Sequence, residues 1–309
     1  MPSEIRQNNR VTLSRPTWIQ VVAGLFAAAA LVCVAWCGVY VVRGVLSTPE
    51  LQSFLTRFPG EAPLPEETRS GIPAFVSWTH FLNAFFLVLI VRTGIRIRNE
   101  KRAGGLWSSK RVKKRRMSLA IWGHLAVDCL WMLNGIVFVA LLFATGHWAR
   151  IVPTSWEVFP NALSALLQYV SLEWPTHDSW ANYNALQQLS YFAIVFLAAP
   201  LAAVTGYRLS AFFPKKWEKA FSWELAKKIH FPTMLFFVAF VIVHVGLVLT
   251  TGALRNLNHM YAGHEGISWT GFWIFAASLV AMAFAWYAAR RDDWIAKPAA
   301  KTGDVRLMK

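Results

Sequence analysis

The chain alternates between long apolar runs and short polar connections. Runs with few or no charges cover residues 17–42, 74–95, 118–146, 184–207, 229–251 and 269–289. Each run is close to or longer than the roughly 20 residues that a helix needs to cross the hydrocarbon core of a bilayer. The pattern therefore predicts an all-α integral membrane protein with six transmembrane helices and no sizeable soluble domain.

The first run resembles a secretory signal because Arg6, Arg10 and Arg15 precede it. Its apolar part is longer than the roughly 7–15 residues of a signal core, and no small-residue cleavage site follows it. We therefore interpret residues 17–42 as an additional N-terminal transmembrane helix. The whole chain, residues 1–309, is predicted to be a single membrane domain.

Composition and charge support a membrane protein. Apolar residues make up 56% of the chain, with 16 Trp and 22 Phe, against a usual apolar share of about 45–50%. The net charge of +15 would suggest a nucleic-acid partner in a soluble protein, but the positive charges alternate from one connection to the next. Lys and Arg number 3 before the first helix, 10 in 96–118, 6 in 208–228 and 6 from Arg290 onward.

This asymmetry follows the positive-inside rule. It predicts a multi-pass protein of the bacterial inner membrane with cytoplasmic N- and C-termini, and residues 290–309 as a cytoplasmic tail. The lipid bilayer is the expected surrounding, and nucleic acid is not an expected partner. The connection between helices three and four contains the stretch NALSALLQYV, whose apolar spacing predicts a short helix on the outer surface.

The eight histidines divide by predicted depth. Four lie in the outer connections, where we expect solvated imidazoles: His147, His177, His259 and His264. The other four lie within or at the ends of the predicted spans: His80, His124, His230 and His244. An imidazole in hydrocarbon costs free energy unless a partner binds its nitrogen, so this second group needs partners.

The intramembrane histidines match in depth. His230 and His244 are 14 residues apart, which corresponds to about 21 Å along a helix and a rotation about 40° short of four full turns. They therefore share one face at two levels. His80 lies about six residues from the outer end of its helix, as His244 does, and His124 lies near the inner end, as His230 does. The predicted pairs are His80 with His244 and His124 with His230, and this pairing does not depend on orientation.

Two imidazoles from facing helices are typical axial ligands of haem iron in an apolar pocket. Zinc would need three or four ligands, usually including Cys or carboxylate, and these depths do not supply them. The chain has no Cys-x-x-Cys-His attachment motif, so the predicted cofactors are two b-type haems. The alternative is that each histidine is an interhelical hydrogen-bonding residue.

Four stretches carry a family resemblance: WTHFLNAFFLVLIVRTG (78–94), WGHLAVDCLWMLNGIVFVALLFATG (122–146), NALQQLSYFAIVFLAAPLAAVTG (184–206) and HFPTMLFFVAFVIVHVGLVLTTG (230–252). They resemble the bacterial cytochrome b561/nickel-hydrogenase cytochrome b superfamily, which includes formate dehydrogenase gamma subunits and thiosulfate reductase cytochromes. The resemblance implies a four-helix haem bundle over residues 74–251. It also implies axial histidines on the first, second and fourth bundle helices, which are the places of His80, His124, His230 and His244.

The resemblance also implies a partner. Proteins with an HFLN stretch and a long basic connection resemble cytochrome b/b6-domain proteins that pair with a molybdopterin oxidoreductase of the sulfite-oxidase kind. The first helix, 17–42, departs from the family pattern. Together with the positive-inside rule, it inverts the bundle in the membrane relative to family members whose first bundle helix starts in the cytoplasm. The side on which such a partner docks is therefore left open.

Other polar side chains in the predicted spans are candidates for quinone or haem contacts. Asp128 shares a helical face with His124 and is interpreted either as a proton donor to a quinone or as a structural hydrogen-bond donor. Arg92 and Arg96 are candidates to bind haem propionates or to extend to the interface. Asn83 and Gln187 are candidates for quinone or structural contacts.

The sequence predicts a di-haem cytochrome that passes electrons between quinone and a redox enzyme, without bond-making chemistry beyond possible quinone oxidoreduction. Two alternatives lack haem: a proton-coupled transporter that uses Asp128 and the histidines, and a structural membrane anchor. Transporters of that kind usually show repeated halves, and this sequence shows no internal repeat.

Overall fold

We describe the fold from a computed structural model of the 309-residue chain, which describes residues 17–61, 64–65, 68–112, 115–174, 180 and 182–308. The α-helices are α1 Trp18–Leu46, α2 Pro49–Arg57, α3 Ala74–Asn99, α4 Leu119–Ala144, α5 Val158–Val170, α6 Ala185–Phe192, α7 Ala199–Leu209, α8 Trp223–Thr250, α9 Ala253–Leu257, α10 Thr270–Ala288 and α11 Asp292–Thr302. The strands are β1 Gly105–Ser109, β2 Arg116–Ser118 and β3 Gly303–Leu307. Two short 3₁₀ turns and two π-helical segments complete the described elements: His147–Arg150, Lys215–Trp217, Ala193–Ala198 and Asn258–Ala262.

Six helical segments of the described chain are long and apolar enough to cross a membrane. They are α1, α3, α4, the continuous segment Ala185–Leu209 formed by α6, a π-helical segment and α7, then α8 and α10. The predicted set of six transmembrane helices is confirmed. The largest difference in bounds is at α8, which begins at Trp223 rather than at residue 229 because Ser222 caps it by accepting a hydrogen bond from the Leu225 amide at 3.1 Å.

The described chain divides into two compact units. The first contains α1 and α2 together with residues 167–174. Within it, Arg43 donates from Nε to the Ser171 carbonyl at 2.8 Å and lies 3.8 Å from a carboxylate oxygen of Glu173. Leu46 is the buried residue of α1, and the rest of this apolar helix is exposed to a degree that suits contact with lipid.

The second unit contains the helix bundle. In it α3 packs on α4, α7 packs on α8, and α10 packs against α3. The buried centre is formed by Ile194, Ala198 and Phe237, which come from the fourth and fifth spans. Partly buried apolar side chains surround it: Leu87, Trp131, Val195, Ala199, Ala202 and Phe240. The four-helix core is thus held together by dispersion between closely packed apolar side chains.

Local signals in the sequence explain where the bundle helices begin and end. Ser118 caps α4 by accepting from the Ile121 amide at 3.3 Å. Asn184 and Gln187 form a reciprocal capping box at the start of α6. Gly146 follows α4 with φ +80, a left-handed conformation that glycine adopts without a steric cost.

A three-stranded antiparallel sheet is an addition to the predicted all-helical architecture. The strand order is β2-β1-β3, with Trp107 opposite Met117 on one side and opposite Val305 on the other. The sheet and α11 enclose a small apolar cluster of Trp107, Met117, Leu119 and Ala299. The indole nitrogens of Trp107 and Trp122 both donate to Thr302 Oγ1, at 3.1 and 3.2 Å. The basic connection and the predicted tail are therefore joined in one folded element.

Candidate functional site

His80 of α3 and His244 of α8 lie side by side in the bundle. Their ring centroids are 6.3 Å apart and their planes are inclined by 59°. Phe240 stacks on His244 at 5.5 Å, while Tyr191 and Tyr261 present ring edges to His244 and His80 at 6.1 and 6.0 Å. Helices that are far apart in sequence therefore place this pair of imidazoles in an aromatic shell.

The His80 and His244 pair suits a ligand that takes two nitrogens. The Nδ1 atom of His80 is buried and has no hydrogen-bond partner among the described residues. A centroid separation of 6.3 Å is close to what two imidazoles need on opposite sides of one metal ion, since a metal–imidazole bond is about 2 Å long. Within the described ranges, no group of three or more His, Cys, Asp or Glu side chains is placed so that it could hold a metal ion.

His124 of α4 is held by the neighbouring helix α3. Its Nδ1 atom lies 2.7 Å from Thr93 Oγ1. Thr93 is buried, and its hydroxyl lies 2.7 Å from the Leu89 carbonyl of its own helix. The same hydroxyl lies 3.1 Å from the Ile90 carbonyl, so Thr93 connects the His124 ring to the main chain of α3.

His230 of α8 has the same arrangement with α7. Its Nδ1 atom lies 2.9 Å from Thr205 Oγ1, and the same hydroxyl lies 3.2 Å from the Ala202 carbonyl. Thr205 is fully buried, with its hydroxyl 2.7 Å from the Leu201 carbonyl. His230 is also within electrostatic range of His124. The extension of α8 to Trp223 puts His230 inside the helix rather than at its end, where the sequence placed it, and this brings its depth closer to that of His124.

Two glycines let these histidines approach the facing helix. A Cβ atom at Gly94 would lie 3.4 Å from Cε1 of His124, and one at Gly206 would lie 3.3 Å from Cε1 of His230. Each glycine directly follows the threonine that bonds the same imidazole. The dipeptides Thr93-Gly94 and Thr205-Gly206 thus form two equivalent seats, one for each histidine.

The two histidine levels are separated by an aromatic layer. Trp131 and Phe237 meet edge to face with ring centroids 5.9 Å apart. Trp131 donates from Nε1 to Asn83 Oδ1 at 2.5 Å. Along α8 the two levels are about 21 Å apart, because each residue rises about 1.5 Å.

The other candidate residues fall into different places. Asp128 lies at the level of His124, with Oδ2 3.6 Å from its Nε2 atom. Asn83 accepts the Trp131 hydrogen bond, and Gln187 forms the capping box of α6, so both have structural contacts. The structure brings Asp128 to the histidines and leaves a quinone role for Asn83 and Gln187 as a prediction.

Arg92 and Arg96 lie at the end of α3 that is next to the sheet. Arg92 lies over the Trp286 ring at 5.4 Å, and Arg96 forms an ion pair with Asp292 of α11. Both line an open pocket of about 410 Å³ together with Asn99, Glu100 and Arg102. These contacts join α3 to α10 and α11, so propionate binding by the two arginines stays a prediction.

Two histidines that were expected to be solvated are buried. His147 is 7% exposed, with Nδ1 3.0 Å from Thr145 Oγ1, and His259 is 2% exposed with its ring 5.2 Å from that of Trp180. Burial, followed by the charge of Arg150, lowers the pKa of His147 below its usual 6.5. The expectation was wrong because the connections fold back against the bundle. His264 is exposed as expected, and His177 lies outside the described residues.

Sequence reasoning missed Thr93 and Thr205. The available signal was a Thr-Gly dipeptide on each helix that precedes a histidine-bearing helix. Tyr191 and Tyr261 were missed because an aromatic side chain in an apolar span has no pattern that distinguishes a histidine neighbour from an ordinary core residue.

The donor set fits haem. His80 and His244 have the ring separation that two ligands of one iron need, and the Nδ1 atoms of His124 and His230 contact threonine hydroxyls, which leaves the Nε2 atoms of these two rings to bind iron. His80 and His244 lie among aromatic side chains, and apolar side chains fill the bundle centre between the two levels, as a porphyrin pocket requires.

Comparison with known proteins agrees with this assignment. The family model described as prokaryotic cytochrome b561 matches residues 71–263, which include all four intramembrane histidines. The chain is 29% identical over 196 residues to an Azospira oryzae protein named as a protein-methionine-sulfoxide reductase subunit, YedZ1, and the match covers 62% of this chain and 96% of the relative. No solved structure matches. The predicted resemblance is confirmed: the chain belongs to the prokaryotic cytochrome b561 family, whose members are membrane proteins that bind haem b and transfer electrons.

Proposed function

We propose that this protein is a di-haem cytochrome that conducts electrons across the bacterial inner membrane between the quinone pool and a redox enzyme. The observation that carries the proposal is the arrangement of four histidines on three helices at two levels. At one level His80 and His244 lie 6.3 Å apart between ring centroids, and at the other His124 and His230 are held in matching threonine contacts.

The chain supplies the ligands and the surroundings. His80 with His244 would hold one haem, and His124 with His230 the other. Each haem, when bound, supplies reversible one-electron chemistry at its iron. The aromatic shell around His80 and His244 and the apolar centre of the bundle exclude water and keep the local dielectric low, which strengthens the effect of nearby charges.

We propose that Asp128 serves quinone chemistry. Reduction or oxidation of a quinone moves protons as well as electrons, so a carboxylate near the electron carrier is useful at such a site. Asp128 is the carboxylate that the described structure places closest to the histidines, 3.6 Å from His124 Nε2. It would accept or donate the proton, while His124 holds the adjacent haem.

The electron partner that we propose is a molybdopterin oxidoreductase. The relative from Azospira oryzae is named as a subunit of a protein-methionine-sulfoxide reductase. A membrane subunit with that role must pass electrons to or from a catalytic subunit. The family resemblance of the HFLN stretch, which begins at His80, points to the same class of partner.

A visible spectrum of the detergent-purified protein tests the proposal. We expect a sharp reduced-minus-oxidised b-type α band and two haems per chain. His244→Ala and His230→Ala should each lose one haem, since each removes a ligand at a different level. His264→Ala is the matched control, because His264 is exposed, and it should keep both haems.

Other results would point to the alternatives. A colourless protein from haem-replete cells would contradict the proposal and favour a proton-coupled transporter or a structural anchor. Loss of both haems in either single variant, with the helical circular dichroism retained, would contradict the separation into two levels.

A further inference from the structure

We infer that Thr93 and Thr205 are positioning residues that fix the tautomer and ring orientation of His124 and His230, and through them tune the electron affinity of one cofactor level. The inference rests on the proposed haem ligation. It concerns two side chains that do not touch the metal and that act through the far nitrogen of each imidazole.

The hydrogen-bond pattern determines the tautomer of His124. A threonine hydroxyl has one hydrogen to donate, and Thr93 directs it to the Leu89 carbonyl at 2.7 Å. Its oxygen then faces His124 Nδ1 at 2.7 Å as an acceptor. The Ile90 carbonyl lies 3.1 Å from the same hydroxyl and is a second acceptor for its hydrogen. An acceptor oxygen opposite Nδ1 places the imidazole hydrogen on that atom, so the lone pair is on Nε2, which lies 3.6 Å from Asp128 Oδ2 and is where a metal would bind.

The same pattern recurs at His230 on a different pair of helices. Thr205 directs its hydroxyl to the Leu201 carbonyl at 2.7 Å, with the Ala202 carbonyl at 3.2 Å, and its oxygen lies 2.9 Å from His230 Nδ1. Both threonines are buried, at 3% and 0% exposure. The same threonine–histidine contact therefore occurs on two different pairs of helices. Incidental helix packing does not explain why it recurs.

The glycines Gly94 and Gly206 complete these seats. A Cβ atom at Gly94 would lie in van der Waals contact with Cε1 of His124, at 3.4 Å, and one at Gly206 would lie in tight contact with Cε1 of His230, at 3.3 Å. The imidazole is therefore held between a hydrogen bond on Nδ1 and the helix surface beside Cε1. This arrangement restricts rotation of the ring about its Cβ–Cγ bond.

The other level has no such contact at His80. The His80 Nδ1 atom is buried without a hydrogen-bond partner in the described chain, and its ring neighbours are aromatic. The two levels therefore differ in the electron density of their ligands. An acceptor on Nδ1–H makes the imidazole more basic, and a more basic ligand stabilises oxidised iron relative to reduced iron.

Replacement of either threonine by valine keeps the shape and removes the acceptor oxygen. We expect Thr93→Val and Thr205→Val each to raise the reduction potential of one haem and to leave that of the other unchanged. Thr93→Ser, which restores a hydroxyl, should return the potential toward the wild-type value. The measurement is a spectroscopic redox titration of both haems in the purified protein.

Thr233→Val is the matched control. Thr233 is a buried threonine of α8 whose hydroxyl lies 2.8 Å from the Ile229 carbonyl, and it has no imidazole partner in the described structure. Its replacement should leave both potentials unchanged. Equal shifts in Thr233→Val and Thr93→Val, or no shift in either seat variant, would overturn the inference while the di-haem proposal stands.

A second readout does not need the cofactor. In haem-free protein labelled with ¹⁵N-histidine, the imidazole shifts of His124 and His230 should show the Nδ1–H tautomer, assigned by comparison with His124→Ala and His230→Ala. Thr93→Val should change the His124 signals alone. An Nε2–H tautomer at both sites would overturn the inference. Lack of haem after purification would instead contradict the proposed function, and this measurement would still report on the seats.

Discussion

Buried polar side chains in the bundle have specific partners, and Asn83 is a clear case. Its carbonyl oxygen accepts from the Trp131 indole at 2.5 Å in the layer between the two histidine levels. In hydrocarbon an indole N–H without a partner retains no compensating bond to water. A structural role for Asn83 therefore makes a different prediction from a quinone role.

We expect Asn83→Ala to reduce stability and to leave quinol kinetics unchanged. Interhelical hydrogen bonds in membranes contribute about 0.6 kcal/mol on average and at most about 1.7 kcal/mol. The loss should appear as a lower melting temperature in detergent. Asn99→Ala, at the exposed end of α3, is the control and should melt like wild type. Slower reduction of the protein by quinol with unchanged melting would support a quinone contact instead.

His147, in the connection after α4, should make the stability of the folded protein depend on pH. Burial, with a further contribution from Arg150, holds the pKa of His147 below 6.5 in the folded protein. The unfolded chain therefore binds more protons than the folded chain as pH falls below 6.5, and folding free energy is lost in that range. The stability that neutral His147 contributes is fully present above pH 6.5. It declines as the pH falls from 6.5 towards the lower pKa that His147 has in the folded protein.

His147→Gln should weaken this dependence. Between about pH 8 and about pH 5, the melting temperature of the variant should fall less than that of wild type. His264→Gln removes an exposed imidazole and should follow the wild-type curve. Parallel curves for wild type and His147→Gln would show that His147 does not titrate across folding.

Individual site residues could be predicted from the sequence where their side chains are unusual in an apolar span. Histidine is rare in apolar spans, so depth alone singles out the four bundle histidines. Thr93 and Thr205 could not be identified in this way, because a threonine in a membrane helix usually satisfies its hydroxyl with a carbonyl one turn earlier. Thr79 and Thr233 do this with no imidazole contact in the described chain. The glycine that follows each seat threonine does not single it out, because glycine also follows Thr145, Thr251 and Thr270.

Among the elements, the helices follow directly from the apolar runs, whereas the sheet does not. A span of about 20 apolar residues has one structural solution in lipid, since its backbone groups must bond internally. Strands β1 and β3 are five residues long, carry mixed side chains and pair across almost 200 residues of sequence. Such pairing depends on tertiary contacts that no local pattern reports.

The hydroxyl of Thr302 connects this sheet to the bundle. Its oxygen accepts from the indoles of Trp107 in β1 and Trp122 in α4, and its hydrogen is directed to the Ala299 carbonyl at 2.9 Å. Thr302→Val should therefore remove two acceptor contacts, of which the buried one at Trp107 costs about 1–3 kcal/mol. We expect faster hydrogen exchange of the β3 amides and unchanged exchange in α8.

Ser108→Ala is a suitable comparison for Thr302→Val. Ser108 is in β1 and its side-chain contact, 3.4 Å to the Asp304 carbonyl, is long and lies at the surface. The serine variant should exchange like wild type. If Thr302→Val also exchanged like wild type, the two indole contacts would not stabilise the sheet.

For the whole molecule, the sheet constrains the membrane topology independently of charge. β1 and β3 are hydrogen-bonded neighbours, so the connection before α4 and the C-terminal segment are on one side of the membrane. This requires an even number of crossings between them, and α4, Ala185–Leu209, α8 and α10 provide four. The distribution of Lys and Arg predicts the same grouping and in addition names the side as cytoplasmic.

Reporter fusions can test separately whether the number of crossings is even and whether the side that carries the sheet is cytoplasmic. A fluorescent protein fused after Lys309 should fluoresce, because it folds in the cytoplasm, and alkaline phosphatase at the same place should be inactive. Alkaline phosphatase inserted at Gly266, an exposed glycine in the connection between α8 and α10, should be active. The opposite result at both places would invert the protein and leave the histidine pairs unchanged, since both levels lie within the spans. Activity at both places would contradict the even number of crossings, and with it the joining of β1 to β3.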